Sequence, residues 1–363
     1  MRIGILGGGQ LARMLALAGI PLGQRFVVLC PGDDPGAATV AEHLHARFDD
    51  RNALAELAQQ VDLVTYEFEN VPPESVDYLS DTLPVYPPPG ALATARDRYR
   101  EKTLFNKLGI GTAAFVTLDT LADLQQAIER IGLPAIIKTR TEGYDGKGQQ
   151  LIRDASQIPA AWESMAGAKA IVEAFVPFDR EVSIIAVRSV SGELAFYPLS
   201  ENQHKEGILR QSRALINDSM QEKAEFYAER LLTHLDYVGV LAIEFFQIGD
   251  ELLINEMAPR VHNSGHWTIE GAQTSQFENH IRAILDLPLG STAALDPSIM
   301  INIIGELPDS GEVLSLSGSH LHLYDKEERS GRKLGHVTLH SADESVLQAG
   351  LIALARMKGI DLS

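Results

Sequence analysis

The chain has 363 residues, with 49 Asp+Glu against 31 Lys+Arg, a formal net charge of −18 and a pI near 5.0. That balance excludes a general binder of nucleic-acid backbone, and 45% hydrophobic with 22% charged residues excludes a disordered chain. A single cysteine, Cys30, rules out an internal disulfide and Cys-based zinc sites and fits a reducing cytoplasm, and no apolar run approaches the roughly 20 residues of a membrane helix.

Residues 2–6 read as a buried strand, Gly7-Gly8-Gly9 as a tight turn and 10–22 as a helix. Ala16-Leu17-Ala18 looks like a signal-peptide cleavage site, but glycines, Gln10 and Arg13 break the stretch before it; a strand followed by a helix explains it better. Strands at 25–29 and 61–66 with a helix at 52–60 continue the alternation of a parallel sheet covered on both faces. Pro84, Pro87, Pro88, Pro89 and Gly90 then punctuate the chain, and the first domain boundary falls there. A charged helix at 96–108, a strand at 114–117, a helix at 121–131 and a strand at 135–139 follow. From 169 to 256 the pattern is mostly strands with one long helix near 219–235, as in an α+β domain with antiparallel sheet. After Pro297 short strands return, and a helix near 342–357 closes the chain.

Gly7-Gly8-Gly9-Gln10-Leu11-Ala12 fits the dinucleotide fingerprint G-x-G-x-x-G/A, whose backbone amides and helix N-terminus hold a phosphate. The acidic residue that such a site wants about 20 positions on is displaced: the second strand runs out at Cys30-Pro31, with Asp33 and Asp34 late. A plain tight turn competes with that reading. Thr141-Glu142-Gly143-Tyr144-Asp145-Gly146-Lys147-Gly148 lies between a strand ending in Lys138 and one starting near Gln149. It is no Walker A loop, because no Gly-Lys-Ser/Thr occurs and a strand follows. A glycine-rich hairpin with a lysine on the preceding strand suits a lid folding over phosphates; a surface hairpin is the bland alternative.

Segments 240–248 and 251–257 alternate around Gly249-Asp250, the signature of a hairpin. A turn centred on Asp250 pairs positions whose numbers sum to 500, which sets Glu244 opposite Glu256. Like charges so placed repel unless a cation lies between them, and a few hard oxygen ligands favour Mg²⁺ shared with substrate phosphates. A one-residue register error would leave each Glu solvated. Glu67 and Glu69 stand two apart at the C-terminal end of a parallel strand, where open α/β sheets bind ligands, and equally read as loop charges. Arg260-Val261-His262-Asn263-Ser264-Gly265-His266 is a polar cluster; His262 and His266 have i,i+4 spacing but no third zinc ligand. Lys326, Arg332, Lys333 and His336 form either an anion pocket or a solvated basic loop.

The loop 143–148, the strand 135–138, the Glu244/Glu256 hairpin and 260–264 resemble an ATP-grasp ligase. The opening Gly-Gly-Gly-Gln-Leu, Tyr66-Glu67-Phe68-Glu69-Asn70-Val71 and Gly331-Arg332-Lys333-Leu334-Gly335-His336 narrow the resemblance to the N5-carboxyaminoimidazole ribonucleotide synthetase family of purine biosynthesis, over essentially the whole chain. The resemblance implies mixed α/β and α+β architecture. An N-terminal parallel α/β (pre-ATP-grasp) domain would cover 1–95, and an ATP-grasp domain 96–296 with a lid subdomain near 112–172. A small β-rich C-terminal domain would cover 297–363. It also implies a cytoplasmic homodimer that binds neither nucleic acid nor membrane. ATP, Mg²⁺ and bicarbonate would serve to make carboxyphosphate, and that intermediate, or CO₂ released from it, would carboxylate the exocyclic amine of aminoimidazole ribonucleotide.

Carried over by motif, Arg98, Lys138 and the run Gly143, Tyr144, Asp145, Gly146, Lys147, Gly148 and Gln149 would contact the ATP phosphates. Glu173, Ala174, Phe175 and Val176 would read adenine, with Glu181 on the ribose and His204, Asn255 and Glu256 completing the nucleotide set. Glu244 and Glu256 would hold Mg²⁺. Tyr144, Asp145, Arg260, His262, Asn263 and Ser264 would form the catalytic set. Gln10, Leu11, Glu67, Glu69, Lys326, Arg332 and Lys333 would surround the ribonucleotide or bicarbonate. The chain departs from the ATP-grasp pattern at Ala258, where many members carry Asn two residues after the second metal Glu; here Asn255 precedes that Glu. Rival readings are a sister ATP-grasp enzyme such as formate-dependent glycinamide ribonucleotide transformylase, an NAD-dependent dehydrogenase resting on the N-terminal glycines, and a non-catalytic binding protein.

Overall fold

A computed structural model describes residues 1–33, 35–141, 143 and 148–362. Strands β1 (Arg2–Leu6), β2 (Arg25–Cys30), β3 (Glu42–His45) and β4 (Leu63–Tyr66) form a parallel sheet in the order β3-β2-β1-β4. β1 lies at the centre, so the chain leaves it toward β2 on one side and meets β4 on the other. The loops after β1 and β4 therefore open at a topological switch point, where such sheets bind ligands. β3, at the sheet edge, is the strand the sequence pattern does not announce: Glu-His-Leu-His is short and mostly polar, as edges tend to be. The first helix spans Gln10–Gly19 and ends before Pro21, with Ile20–Leu22 a separate 3₁₀ turn. Its Leu11, Ala12, Leu15 and Ala16 are buried in a core shared with Phe277 and Ile281 of the helix Gln276–Ile284. Ala16 thus belongs to the core of the folded chain. Helices Pro73–Ser80 and Pro89–Ala95 are each opened by proline; the second begins within the proline run that marks the first boundary, and the first precedes it.

The small antiparallel sheet β5 (Phe115–Leu118), β6 (Ala135–Thr139), β7 (Gln149–Ile152) and β8 (Ala170–Ala174) has the order β5-β8-β6-β7. Ala135 and Ile137 of β6 and Ala170 and Val172 of β8 pack on Leu124, Ile128 and Ala161 of two covering helices. By strand alternation Lys138 and Glu173 point from the opposite face.

The large sheet collects β9 (Arg180–Arg188), β10 (Leu194–Phe196), β11 (Ser200–Lys205), β12 (Ile208–Ala214), β13 (Gly239–Ile248), β14 (Glu251–Ala258), β15 (Ser298–Ile304), β16 (Ser319–Leu323) and β17 (Lys333–His340). Its order is β14-β13-β9-β11-β12-β15-β17-β16, with β10 beside β9. Val182, Ile184, Leu241 and Ile243 pack one face on the helix Gln221–His234 through Ala224, Ala228 and Leu231. The C-terminal strands do not make a sheet of their own. β15 pairs with β12 through Gln211↔Ile301 and Ser212↔Met300, so the segment expected to stand apart after Pro297 extends the central sheet.

Candidate active site

The hairpin β13–β14 does set Glu244 opposite Glu256, although not for the reason that counting from the turn suggests. At the tip Ile248 pairs with Glu251 and Phe245 with Ile254, so Gly249-Asp250 is a two-residue turn and paired numbers sum to 499. Gly249, at φ +53°, supplies the left-handed residue. Carried onward, that register would place Asn255 against Glu244. A β-bulge between Glu244 and Phe245 leaves Asn255 as an extra residue on β14, and beyond it Glu244 faces Glu256 and Ile243 faces Met257. The count to 500 is therefore right at the carboxylates and wrong at the tip.

The two acids line one cleft, Glu256 with 41% of its side chain exposed, and titrate apart. Burial and the facing Glu256 push Glu244 up to about 7. Burial acts upward on Glu256 too, but Arg98 and Lys138 outweigh it and hold that carboxyl below its usual range. Arg98 Nη1 donates to Glu256 Oε2 at 3.0 Å. On the other side of Glu244, His262 Nε2 lies 3.3 Å from Oε1. Burial, then Arg260, drives His262 well below its ordinary value, so the ring is neutral. Its Nδ1 accepts from the backbone N–H of Ser264 at 3.3 Å, which leaves the ring proton on Nε2, toward the carboxylate. Glu181 and His204, from β9 and β11, hydrogen-bond to each other beside this pair.

Facing the acids is a set of buried cations. Lys138 Nζ donates to Glu173 Oε2 at 2.9 Å, and Lys102 Nζ, from the helix Arg98–Lys107, reaches the same oxygen at 3.3 Å. Burial tends to raise Glu173, but Lys138 and Lys102 hold it down at about 2. Two carboxylates, Glu173 and Glu256, pair with the three cations Lys138, Lys102 and Arg98, which leaves net positive charge among these five groups, the setting a polyphosphate requires. Of the expected adenine edge, Glu173 and Val176 are buried, Ala174 is half-buried and Phe175 is exposed. Gly143 O accepts from Arg98 Nη2 at 3.5 Å, while Gly148 and Gln149 are exposed. The expectations on Tyr144, Asp145, Gly146 and Lys147 lie outside the described residues.

Glu67 sits differently from a ligand. Its carboxylate accepts from the backbone N–H of Gly9 and, at 2.9 Å, from that of Ala12, so it fills the N-terminus of the helix Gln10–Gly19. The position where a dinucleotide pyrophosphate would sit is taken by the protein's own anion, which removes the basis of the dehydrogenase reading. Glu69 clamps Arg260, accepting from Nε at 2.6 Å and Nη2 at 3.3 Å. Lys326 Nζ donates to Gln10 Oε1 at 2.6 Å, tying the C-terminal loop to the first helix, whose Leu11 is buried. Arg332 Nη1 donates to the carbonyl of Glu327 at 3.3 Å, and Lys333 is near enough to bias both Lys326 and Glu244.

Asn263 and Ser264 are engaged from beneath. Asn263 and Asn302 of β15 exchange amide hydrogen bonds at 3.0 and 2.7 Å. Ser264 Oγ accepts from Ser183 Oγ at 2.8 Å, and Ser183 in turn accepts from Asn202 Nδ2 at 2.9 Å. Gln276 holds the backbone of His262 through two bonds, at 2.9 and 2.6 Å. Sequence reasoning missed Lys102, Glu101, Ser183, Asn202, Gln276 and Asn302. Only Arg98, Glu101 and Lys102 left a signal, their i, i+3, i+4 spacing on a helix that reads as solvated. Together Glu69, Arg98, Glu244, Glu256, Arg260 and His262 line one cleft.

The donor set fits a hard dication. Two carboxylates face each other, and Oδ1 of the adjacent Asn255 is buried and has no hydrogen-bond partner among the described residues. Among the described residues no group of three or more His, Cys, Asp or Glu is arranged to hold a metal, so further oxygens would come from substrate phosphates.

Residues 103–277 match the ATP-grasp domain family, residues 1–96 the ribonucleotide synthetase preATP-grasp domain, and residues 298–349 the phosphoribosylaminoimidazole carboxylase C-terminal domain. Two sheets facing across a cleft of buried cations and paired carboxylates define an ATP-grasp protein. The chain is 52% identical to the N5-carboxyaminoimidazole ribonucleotide synthase of Pseudomonas aeruginosa, over 96% of this chain and 97% of that one. It superposes on the crystal structure of N5-carboxyaminoimidazole ribonucleotide synthetase from Thermus thermophilus with TM-score 0.95 and 54% identity, covering 99% of each chain. The Aspergillus clavatus enzyme, solved with ADP and 5-aminoimidazole ribonucleotide, matches with TM-score 0.90 and 31% identity over 98% of each chain. The chain belongs to the N5-carboxyaminoimidazole ribonucleotide synthase family.

Proposed function

We infer that the chain is an ATP-dependent carbon–nitrogen ligase that carboxylates 5-aminoimidazole ribonucleotide with bicarbonate, releasing ADP and phosphate, in purine biosynthesis. The observation that carries the reading is one cleft in which Lys138, Lys102 and Arg98 face the paired carboxylates Glu244 and Glu256. Lys138 and Arg98 bind the ATP phosphates, and the fixed cations stabilise charge that builds as the γ-phosphoryl group moves. Mg²⁺ held by Glu244 and Glu256 supplies charge neutralisation on the phosphate oxygens. A bicarbonate oxygen attacks the γ-phosphorus, the bond to the β-bridging oxygen breaks, and ADP leaves. In the resulting carboxyphosphate the amine nitrogen attacks the carbonyl carbon, phosphate departs with the C–O electron pair, and one amine proton is lost. Arg260, fixed by Glu69, presents its guanidinium to the anion, and Lys326, Arg332 and Lys333 gather at the ribonucleotide phosphate.

The setting we propose is a cytoplasmic homodimer, with the family resemblance and the unpaired, buried Cys30 as support. Among the described residues no helix is long and apolar enough to cross a membrane. The test is ADP release: it should need both bicarbonate and aminoimidazole ribonucleotide for full rate. Equal turnover with formate and glycinamide ribonucleotide would favour the sister enzyme, and no ADP release under any combination would overturn the ligase reading.

A further inference from the structure

A single helix grips three consecutive residues of the strand that carries Glu256. Arg98, Glu101 and Lys102 stand at i, i+3 and i+4, on one face of the helix Arg98–Lys107. Arg98 binds the Glu256 side chain at 3.0 Å, and Lys102 Nζ donates to the carbonyl oxygen of Asn255 at 3.1 Å. Glu101 Oε1 accepts from the backbone N–H of Met257 at 2.7 Å. Glu101 and Lys102 are each 1% exposed; burial and the neighbouring Glu256 push Glu101 up to about 8, so it is mainly protonated at neutral pH, and polar groups at such depth are retained only when their partners are fixed. The residues gripped are those of the bulge, and they lie on the outermost strand of the sheet, whose outward backbone groups have no strand partner.

We propose that Glu101 and Lys102 are positioning residues for the carboxylate pair, supplying at Asn255 and Met257 hydrogen bonds that no neighbouring strand provides at this sheet edge and so locking the bulge that turns Glu256 toward Glu244. If the tip register ran on without the bulge, Asn255 would face Glu244 and Glu256 would point to the other side of the sheet. The inference rests on Glu244 and Glu256 being cation ligands. Electrostatics and positioning then differ in sign for Lys102. Removing a positive charge near a cation site tightens cation binding by Coulomb's law, whereas losing the bulge weakens it.

The experiment titrates Mn²⁺ into the full chain in the presence of ADP, reading free Mn²⁺ by electron paramagnetic resonance, with deuterium exchange of peptide 251–258 alongside. Lys102→Met and Glu101→Leu should bind Mn²⁺ about tenfold or more weakly, the equivalent of one lost buried hydrogen bond, and exchange faster at 251–258 only. Glu101→Gln keeps an oxygen for Met257 and should retain most of the affinity. Equal or tighter binding with unchanged exchange in Lys102→Met overturns the proposal. Should that variant not fold, the Glu101 variants decide, and indistinguishable Gln and Leu affinities overturn it. If wild type binds no Mn²⁺, or Glu256→Gln binds it like wild type, the cation-ligand reading itself falls.

Discussion

Glu173 is a single carboxyl on which two lysines converge, and that makes it sensitive in a defined direction. Replacing it with Gln leaves Lys138 and Lys102 buried without a counter-charge, which should lower stability by about 3–5 kcal/mol at neutral pH. Its folded value of about 2 lies below the ordinary 4.5, so its contribution is complete above that range and fades as pH falls from about 4.5 toward 2. Urea midpoints of wild type and Glu173→Gln should therefore converge on acidification; a gap that stays constant from pH 7 to pH 3 would contradict the assignment. At the far end of the cleft Arg332, only half-buried, can offer a planar fork to a phosphate. Arg332→Ala should raise the ribonucleotide KM about tenfold or more, one charge-assisted bond contributing roughly 1.5–3 kcal/mol, with the KM for ATP little changed. Arg332→Lys should recover part of the loss, and wild-type kinetics in both would mark a solvated loop. The facing of the two acids was legible because their type and spacing are chemical. Lys102 and Glu101 were not, since a charged helix reads as surface until the elements packed on it are known.

Local rules explain most elements and also where they stopped. Strand 135–139 and helix 121–131 were read to the residue because strong alternation and a Thr120/Asp123 capping box leave little freedom. The bulge at Asn255 was not legible, because nothing in Ile-Asn-Glu-Met distinguishes an extra residue from a paired one; tertiary grip decides it. Glu67 was placed among the ligands because a carboxylate at a strand's C-terminal end is the same signal whether it meets a substrate or a helix. Glu67→Ala should strand the buried N–H of Ala12 and that of Gly9, and lower stability by about 1–3 kcal/mol, measured by chemical denaturation. A variant as stable as wild type would instead make Glu67 free for substrate.

The first helix meets the C-terminal segment: Arg13 donates to the carbonyl of Leu323 at 3.0 Å and Lys326 to Gln10 at 2.6 Å. The composition shift at Pro297 announces a change of element without revealing that β15 continues the sheet at β12. Removing 297–363 would bare the β12 edge and orphan Asn263 at the active-site loop. The truncated chain should aggregate on size-exclusion chromatography; a monodisperse product that keeps ATP affinity would show that the segment is a separable module.

The extra residue at 255 also divides the hairpin into two stretches whose lengths are under separate control. Between Phe245 and Ile254 the ladder answers to the Gly249-Asp250 tip; inward of it, the strands answer to the neighbouring helix. The tip is therefore a place where the polypeptide can gain residues, for a reporter loop or a tethering site, without re-registering the acids. Lys223 and Asp179 touch the tip only through exposed bonds, at 2.8 and 2.7 Å, and little stability is forfeited with them. A three-glycine insertion after Asp250 should leave ADP release at its wild-type rate, whereas one glycine added after Glu256 should abolish it.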